Sequence, residues 1–215
     1  ITGDISKNML PAENFDFVYG NEIPDTQRLE FLEVKTDEKT GEKKFFLRAI
    51  KTTETGDKSE VLINLTEQII ELLAERADHG HEDPLAAMVG ITSHDSPPED
   101  EVLLRLLPNA YSDEQSSAEF RRYTESTLRD KKRAHSMAMR SNLINAGDDP
   151  IDLDHDGAMA WLGGLNDIRL ALGVRLKIED NNQEHLELLK PDDPLRAVYA
   201  VYTWLGWLQE SLISA

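Results

Sequence analysis

The sequence predicts an α+β fold, an N-terminal β-hairpin followed by a predominantly α-helical bundle of five or six helices. Three observations predict it. Two short apolar runs alternate with polar residues before residue 51, apolar residues then recur at helical spacing, and Asn109 to Ala146 contains neither glycine nor proline.

Taken in order, residues 1–28 read as an irregular N-terminal extension punctuated by Pro11, Gly20 and Pro24. Phe15, Phe17 and Tyr19 alternate within it as a short edge strand. A single mainly helical domain follows over residues 29–215. Leu29 to Lys35 places Leu29, Phe31 and Glu33 on one face, and Lys44 to Ile50 repeats the pattern. The polar connection from Thr36 to Glu42 contains Gly41, so the two runs predict a hairpin. Val61, Leu62, Leu65, Ile69, Leu72 and Leu73 then fit a helix over residues 58–77. Residues 78–100 read as loop with a short turn at Pro84 to Met88. Glu101 to Leu107 is a short helix stopped by Pro108.

Ser112 with Gln115 three residues on fits a capping box opening a long helical region. One helix through Ala146 would be about 50 Å long at 1.5 Å per residue. Thr124-Glu125-Ser126-Thr127 cap better than they propagate, so two helices with a break near Thr124 are expected, the second ending at Asn145 and Gly147. Asp154 or Asp156 caps the next helix, residues 157–176, whose Trp161, Leu165, Ile168, Leu172 and Leu176 make a core stripe. Residues 177–193 read as an acidic loop. The last helix, 194–213, is apolar nearly all round. Such a helix is either surrounded by the others or turns one stripe to a second subunit, with Trp207 as the contact and Gly206 permitting close approach.

Hydrophobic residues make up 40% of the 215 and charged ones 30%, ordinary globular usage that supports a real core. No apolar run approaches the roughly 18 residues of a membrane span. Ile1-Thr2-Gly3-Asp4 has no signal-peptide character, so a soluble cytoplasmic protein without a membrane partner is expected. The absence of cysteine removes disulfides, thiolate metal ligands and cysteine nucleophiles from these residues.

The net charge is −18, a field that repels nucleic acid over most of the surface. Residues 121–140 are the exception. Arg121, Arg122, Arg129, Lys131, Lys132, Arg133 and Arg140 face only Glu125 and Asp130, a local net charge of +5. The segment has three readings: it neutralises the chain's own acidic surface, docks an acidic protein partner, or contacts nucleic acid. Only Phe120 and Tyr123 are aromatic nearby, so base stacking has little to work with and nucleic acid is not the expected primary partner.

Asp152-Leu153-Asp154-His155-Asp156-Gly157 copies the first half of an EF-hand loop. Its twelfth position is Gly163, where calcium needs a bidentate glutamate, so helix capping is the expected role. His79-Gly80-His81-Glu82-Asp83 reads as an exposed loop rather than zinc ligands. No nucleophile elbow, phosphate loop or dinucleotide fingerprint occurs. No catalytic residue, metal ligand or cofactor is assigned. Asn166, Asp167 and Arg169 interrupt an apolar helix, with Arg175 further along. They read as a buried polar network, with Arg169 paired to a carboxylate against the last helix, or as a ligand or partner site.

Several strings carry a resemblance: Asp83-Pro84-Leu85-Ala86-Ala87, Leu106 to Tyr111, Glu119-Phe120-Arg121-Arg122, Trp161-Leu162 with Leu165 to Gly173, and Tyr202-Thr203-Trp204-Leu205 with Leu208 to Leu212. As an ordered set they resemble the actinobacterial domain-of-unknown-function family 2017, from about residue 58 to the C-terminus. The resemblance implies genes beside the Clp-protease adaptor ClpS and near a cysteine-biosynthesis cluster. It also implies, for some members, oxidative-stress transcriptional regulation through a cysteine pair. This chain has no cysteine, so that switch cannot operate here in that form. The expected function is a non-enzymatic regulator binding polymerase, a sigma factor or another protein partner. A factor linked to Clp-dependent proteolysis and an enzyme of unrecognised type are the alternatives. The partner-binding candidates are Arg121, Arg122, Arg129, Lys131, Lys132, Arg133, Asn166, Asp167 and Arg169.

Overall fold

Four helices begin on an aspartate, and this decides where much of the chain folds. In the computed structural model, which describes residues 32–36, 39–41, 43–47, 58–74, 95–146, 149–179, 183–190 and 192–214, the elements run β1 (Leu32–Thr36), β2 (Lys43–Leu47), α1 (Lys58–Leu72), α2 (Glu101–Leu106), α3 (Glu114–Ala146), β3 (Ile151–Leu153), α4 (His155–Arg175), α5 (Gln183–Glu187) and α6 (Pro194–Ile213). Asp100, Asp113, Asp154 and Asp193 accept from the backbone N–H of Leu103, Ser116, Gly157 and Leu195 at 2.7–2.9 Å. Each carboxylate satisfies an orphan donor and meets the positive end of the helix dipole, contributing about 1 kcal/mol. The expected extension 1–28, its edge strand, the turn at residues 84–88 and the histidines at 79 and 81 lie outside the described residues.

The sheet has order β1-β2-β3, both pairs antiparallel. Leu32 faces Leu47 and Thr36 faces Lys43, while Leu153 adds to Phe45 and Ile151 to Leu47. β3 was not foreseen. It has three residues, too few for a visible alternation, although Ile151 and Leu153 are buried and Asp152 exposed.

The core is organised around α4, which packs against α1, α2, α3 and α6 and reaches both β2 and β3. Its stripe of Trp161, Leu165, Ile168, Leu172 and Leu176 is buried as the spacing predicts. Each large side chain so withdrawn stabilises the fold by roughly 1.5–3 kcal/mol before entropy is set against it. The central helix is therefore α4, where the sequence pointed to α6. The apolar circumference of α6 is covered by α4 and α5, with Val201, Leu205 and Leu208 facing inward and Thr203, Glu210 and Ile213 exposed.

Three further expectations change. α3 runs without a break through Thr124, because Thr124 Oγ1 donates to Phe120 O at 2.8 Å and leaves the helix ladder intact. The cap of α3 is Asp113, not Ser112. Within the expected acidic loop, Gln183–Glu187 forms the short helix α5, with Leu186 buried as its anchor.

α4 ends in a Schellman motif: Ile178 N–H donates to Gly173 O at 2.9 Å and Lys177 N–H to Val174 O at 3.0 Å. The left-handed residue of the motif is Lys177, at φ 51°, a position usually held by glycine.

Candidate functional site

The basic segment divides by side of α3. Arg121, Glu125 and Arg129 stand one turn apart on the inner face, 5%, 3% and 6% exposed. Glu125 accepts from Arg121 Nη1 with one oxygen and from Arg129 Nη2, at 2.7 Å, with the other. Arg121 Nη2 also donates to Leu107 O at 3.0 Å and Asn109 Oδ1 at 2.8 Å, which ties the end of α2 to α3. Burial pushes the Glu125 carboxyl up, but the hydrogen bonds and charges of Arg129 and Arg121 outweigh it and hold the group below its ordinary range. Arg121 and Arg129, read from the sequence as partner contacts, are thus spent inside the chain.

Lys132 is directed inward as well. Its Nζ donates to Asp167 Oδ1 of α4 at 2.5 Å. Asp167 is 1% exposed, its Oδ2 is buried without a hydrogen-bond partner, and burial raises its carboxyl above the ordinary value despite Lys132. His135 follows one turn after Lys131. Burial and then the charge of Lys131 press its imidazole down; Asp167 acts the other way, and Lys132 adds a smaller downward push. At this crossing a Cβ built on Gly163 would lie 2.1 Å from His135 Nδ1, and one on Gly164 3.1 Å from Met139 Sδ. The two glycines let α3 and α4 touch here.

Arg122, Lys131 and Arg133 occupy the outer face of α3 and are exposed. Phe120 and Tyr123 are exposed too, at 44% and 54%, but point to other sides of the helix than Arg122 and Arg133, and Tyr111 meets Phe120 edge-on at 5.7 Å. Cations and aromatic rings are therefore both presented to solvent, spread around the exposed part of the α3 circumference. Arg140, the last cation of the segment, pairs with Glu67 of α1 at 2.6 Å.

Asn166, Asp167 and Arg169 do not form one network. Asn166 is exposed, Asp167 turns to α3, and Arg169 turns to α6. Arg169 Nη1 donates to Gln209 Oε1 at 2.6 Å, and its Cζ lies 5.0 Å from the Tyr202 ring centroid. Its partners are an amide and a ring, not the expected carboxylate. Gly206 admits it, since a Cβ there would stand 3.3 Å from Nη2. The close approach read at Gly206 is thus taken by the chain's own arginine. Asn166 and Arg169 line a cleft of about 480 Å³ between α2, α4 and α6, together with Arg105, Lys177 and Tyr202.

In the stretch resembling a calcium loop, Asp152 is in β3, Asp154 caps α4 and Gly163 meets His135. Among the described residues no three His, Asp or Glu side chains gather as a metal site.

Sequence reading missed Glu125 as a hub, although the Arg-x3-Glu-x3-Arg spacing places all three side chains on one helix face. It also missed the Gly163-Gly164 pair. Two glycines inside a helix cost about 1 kcal/mol each relative to alanine and so signal a close neighbour. Tyr202 and Gln209 carried no local signal, because tertiary folding alone brings them against Arg169, and the same holds for Arg105 across the cleft.

Residues 40–215 match the family described as domain of unknown function DUF2017. A protein of Mycobacterium tuberculosis strain H37Rv named oxidative stress regulator AosR is 33% identical over 168 residues, covering 71% of this chain and 75% of that protein. One from Mycobacterium leprae, named putative oxidative stress regulator AosR, is 31% identical over 170 residues, with 72% and 76% covered. No solved structure matches the chain.

Proposed function

The chain belongs to the domain-of-unknown-function family DUF2017, and from that premise we propose that it is a non-enzymatic regulator of an oxidative-stress response, acting by binding a protein of the transcription machinery. The observation that carries this reading is the outer face of α3. Phe120 and Tyr123 are exposed on the same helix as the exposed cations Arg122, Lys131 and Arg133, on a chain whose net charge is otherwise strongly negative. Aromatic and arginine side chains are the groups that anchor protein interfaces, and local positive charge selects an acidic surface on the partner. Asp167 and Glu125, the carboxylates with the most perturbed surroundings, are closed to solvent behind their cations, so they serve the fold rather than a substrate. The 215 residues contain no cysteine, so the stress signal reaches these residues by a route other than their own thiols.

Affinity capture from native cytosol tests the reading. The full chain is expected to retain polymerase or sigma-factor subunits. The double reversal Lys131→Glu with Arg133→Glu is expected to lose them while its melting temperature stays within a few degrees of the parent. Recovery of Clp components instead, or equal recovery by the reversed variant, would contradict it.

A further inference from the structure

We propose that the cleft between α2, α4 and α6 binds a small organic anion, a carboxylate or phosphate group carried on an apolar body. The proposal is independent of the regulatory reading above. Its starting point is an imbalance of charge. The inward-turned cations of α3 each hold a carboxylate: Arg121 and Arg129 share Glu125, and Lys132 holds Asp167. Arg169 does not. Its hydrogen-bond partners are the Gln209 amide oxygen and, at 3.5 Å, the Tyr202 hydroxyl, and among the described residues no carboxylate lies within ion-pair distance of it. Arg105, on the opposite wall, likewise has no ion-pair partner among the described residues. A half-buried guanidinium with neutral partners lacks a counter-charge, and an anion entering the cleft supplies one to both arginines.

The shape fits such a ligand. A cleft of about 480 Å³ is in the range of small-molecule sites. Leu170, Val174 and Ile178 give it an apolar wall, and Asn166 adds a side-chain amide. Glu101 and Glu179 also line it; they are exposed, as are Arg105 and Lys177, so water screens these four charges alike and the partly buried Arg169 leaves the lining net positive. The third cation of the lining is Lys177, held in the left-handed conformation at the turn that ends α4. A glycine would close that turn with less strain but would bring no charge to the cleft.

The test is a titration of the full isotope-labelled chain with phenyl phosphate, benzoate and inorganic phosphate, followed by amide chemical shifts. Phenyl phosphate or benzoate is expected to shift Gly173, Ile178 and Tyr202 saturably with Kd of about 1 mM or tighter, and inorganic phosphate, lacking the apolar body, more weakly. Which of the first two binds better identifies the head group. Arg105→Gln and Arg169→Gln should each weaken binding about tenfold, the loss of one charge-assisted hydrogen bond. Arg105 is exposed, so its variant decides the matter should Arg169→Gln fail to fold. The proposal is overturned by an absence of saturable shifts at millimolar probe, by equal affinity in Arg105→Gln, or by saturable shifts confined to the outer cations of α3.

Discussion

Glu125 is the residue on which the interior of α3 depends. With two buried guanidinia sharing one carboxylate, Glu125→Gln leaves positive charge uncompensated, and a loss of about 3–5 kcal/mol in chemical denaturation is expected at neutral pH. The sign with pH follows from the lowered carboxyl. Its contribution is complete above the ordinary value of 4.5 and is lost as pH falls through the lower value of the folded state. The parent and Glu125→Gln curves should therefore converge in acid, and a gap that stays constant down to strongly acid pH would refute the ion-pair account. Asp167 runs the other way. Its raised carboxyl means that the folded chain holds the proton longer, so this contribution declines as pH rises above 3.8. A second test lies at Gly163. The Cβ of Gly163→Ala would fall 2.1 Å from His135 Nδ1, and overpacking of this kind costs about 1–3 kcal/mol. Alanine there would otherwise favour the helix, so a stabilised variant would show that α3 and α4 do not touch at this point. At this scale the sequence exposed the core stripe and, as one of two candidates, the Asp154 cap, but not the caps at Asp100, Asp113 and Asp193. It concealed the pairing of Lys132 with Asp167, which are 35 positions apart.

Helix boundaries show what local pattern reading can resolve. Pro194–Ile213 and His155–Arg175 agree with the spacing to within two residues at each end, because proline, aspartate caps and apolar periodicity coincide there. The exceptions are α1, which ends at Leu72 and not at residue 77, and α3. The Thr-Glu-Ser-Thr run carries real capping propensity, but side-chain bonds one turn away within the helix override it. Glu125 is held by its arginines, and Thr124 bonds back to Phe120 within the turn. Thr124→Ala measures the difference by thermal or chemical denaturation. In a continuous helix it is expected to change stability by no more than about 0.5 kcal/mol. A helix beginning at Thr124 would lose about 1 kcal/mol with its cap. Lys177→Gly tests the other end of the bundle. Relief of the left-handed residue should stabilise the fold by about 1 kcal/mol, and a destabilised variant would mean that the Lys177 side chain supports the turn.

Across the whole molecule, acidity and assembly have separate causes. Four aspartates cap helices and Asp167 pairs internally, yet the net charge of −18 leaves most of the surface acidic, with exposed Arg122, Lys131 and Arg133 of α3 as a cationic exception. The aromatic helix α6, which the sequence left either surrounded by the other helices or turned to a second subunit, packs on its own chain. Val201, Leu205 and Leu208 are buried, Trp207 packs against the same core, and Arg169 occupies the space at Gly206. Sedimentation at micromolar concentration is therefore expected to give a single 24.3 kDa species. A species of twice that mass would return α6 to the interface. The sequence pointed to an all-round apolar helix and could not say which neighbour covers it, because coverage by α4 and α5 depends on tertiary folding rather than on one local pattern. The central claim remains that the outer face of α3 meets a protein of the transcription machinery. Its most direct measurement is a photo-cross-linking residue placed at Tyr123, with a control at exposed Leu188 of the turn after α5. The account predicts an adduct from position 123 that contains a polymerase or sigma-factor subunit and is absent from position 188. No adduct at 123, or the same adduct from both positions, would contradict it.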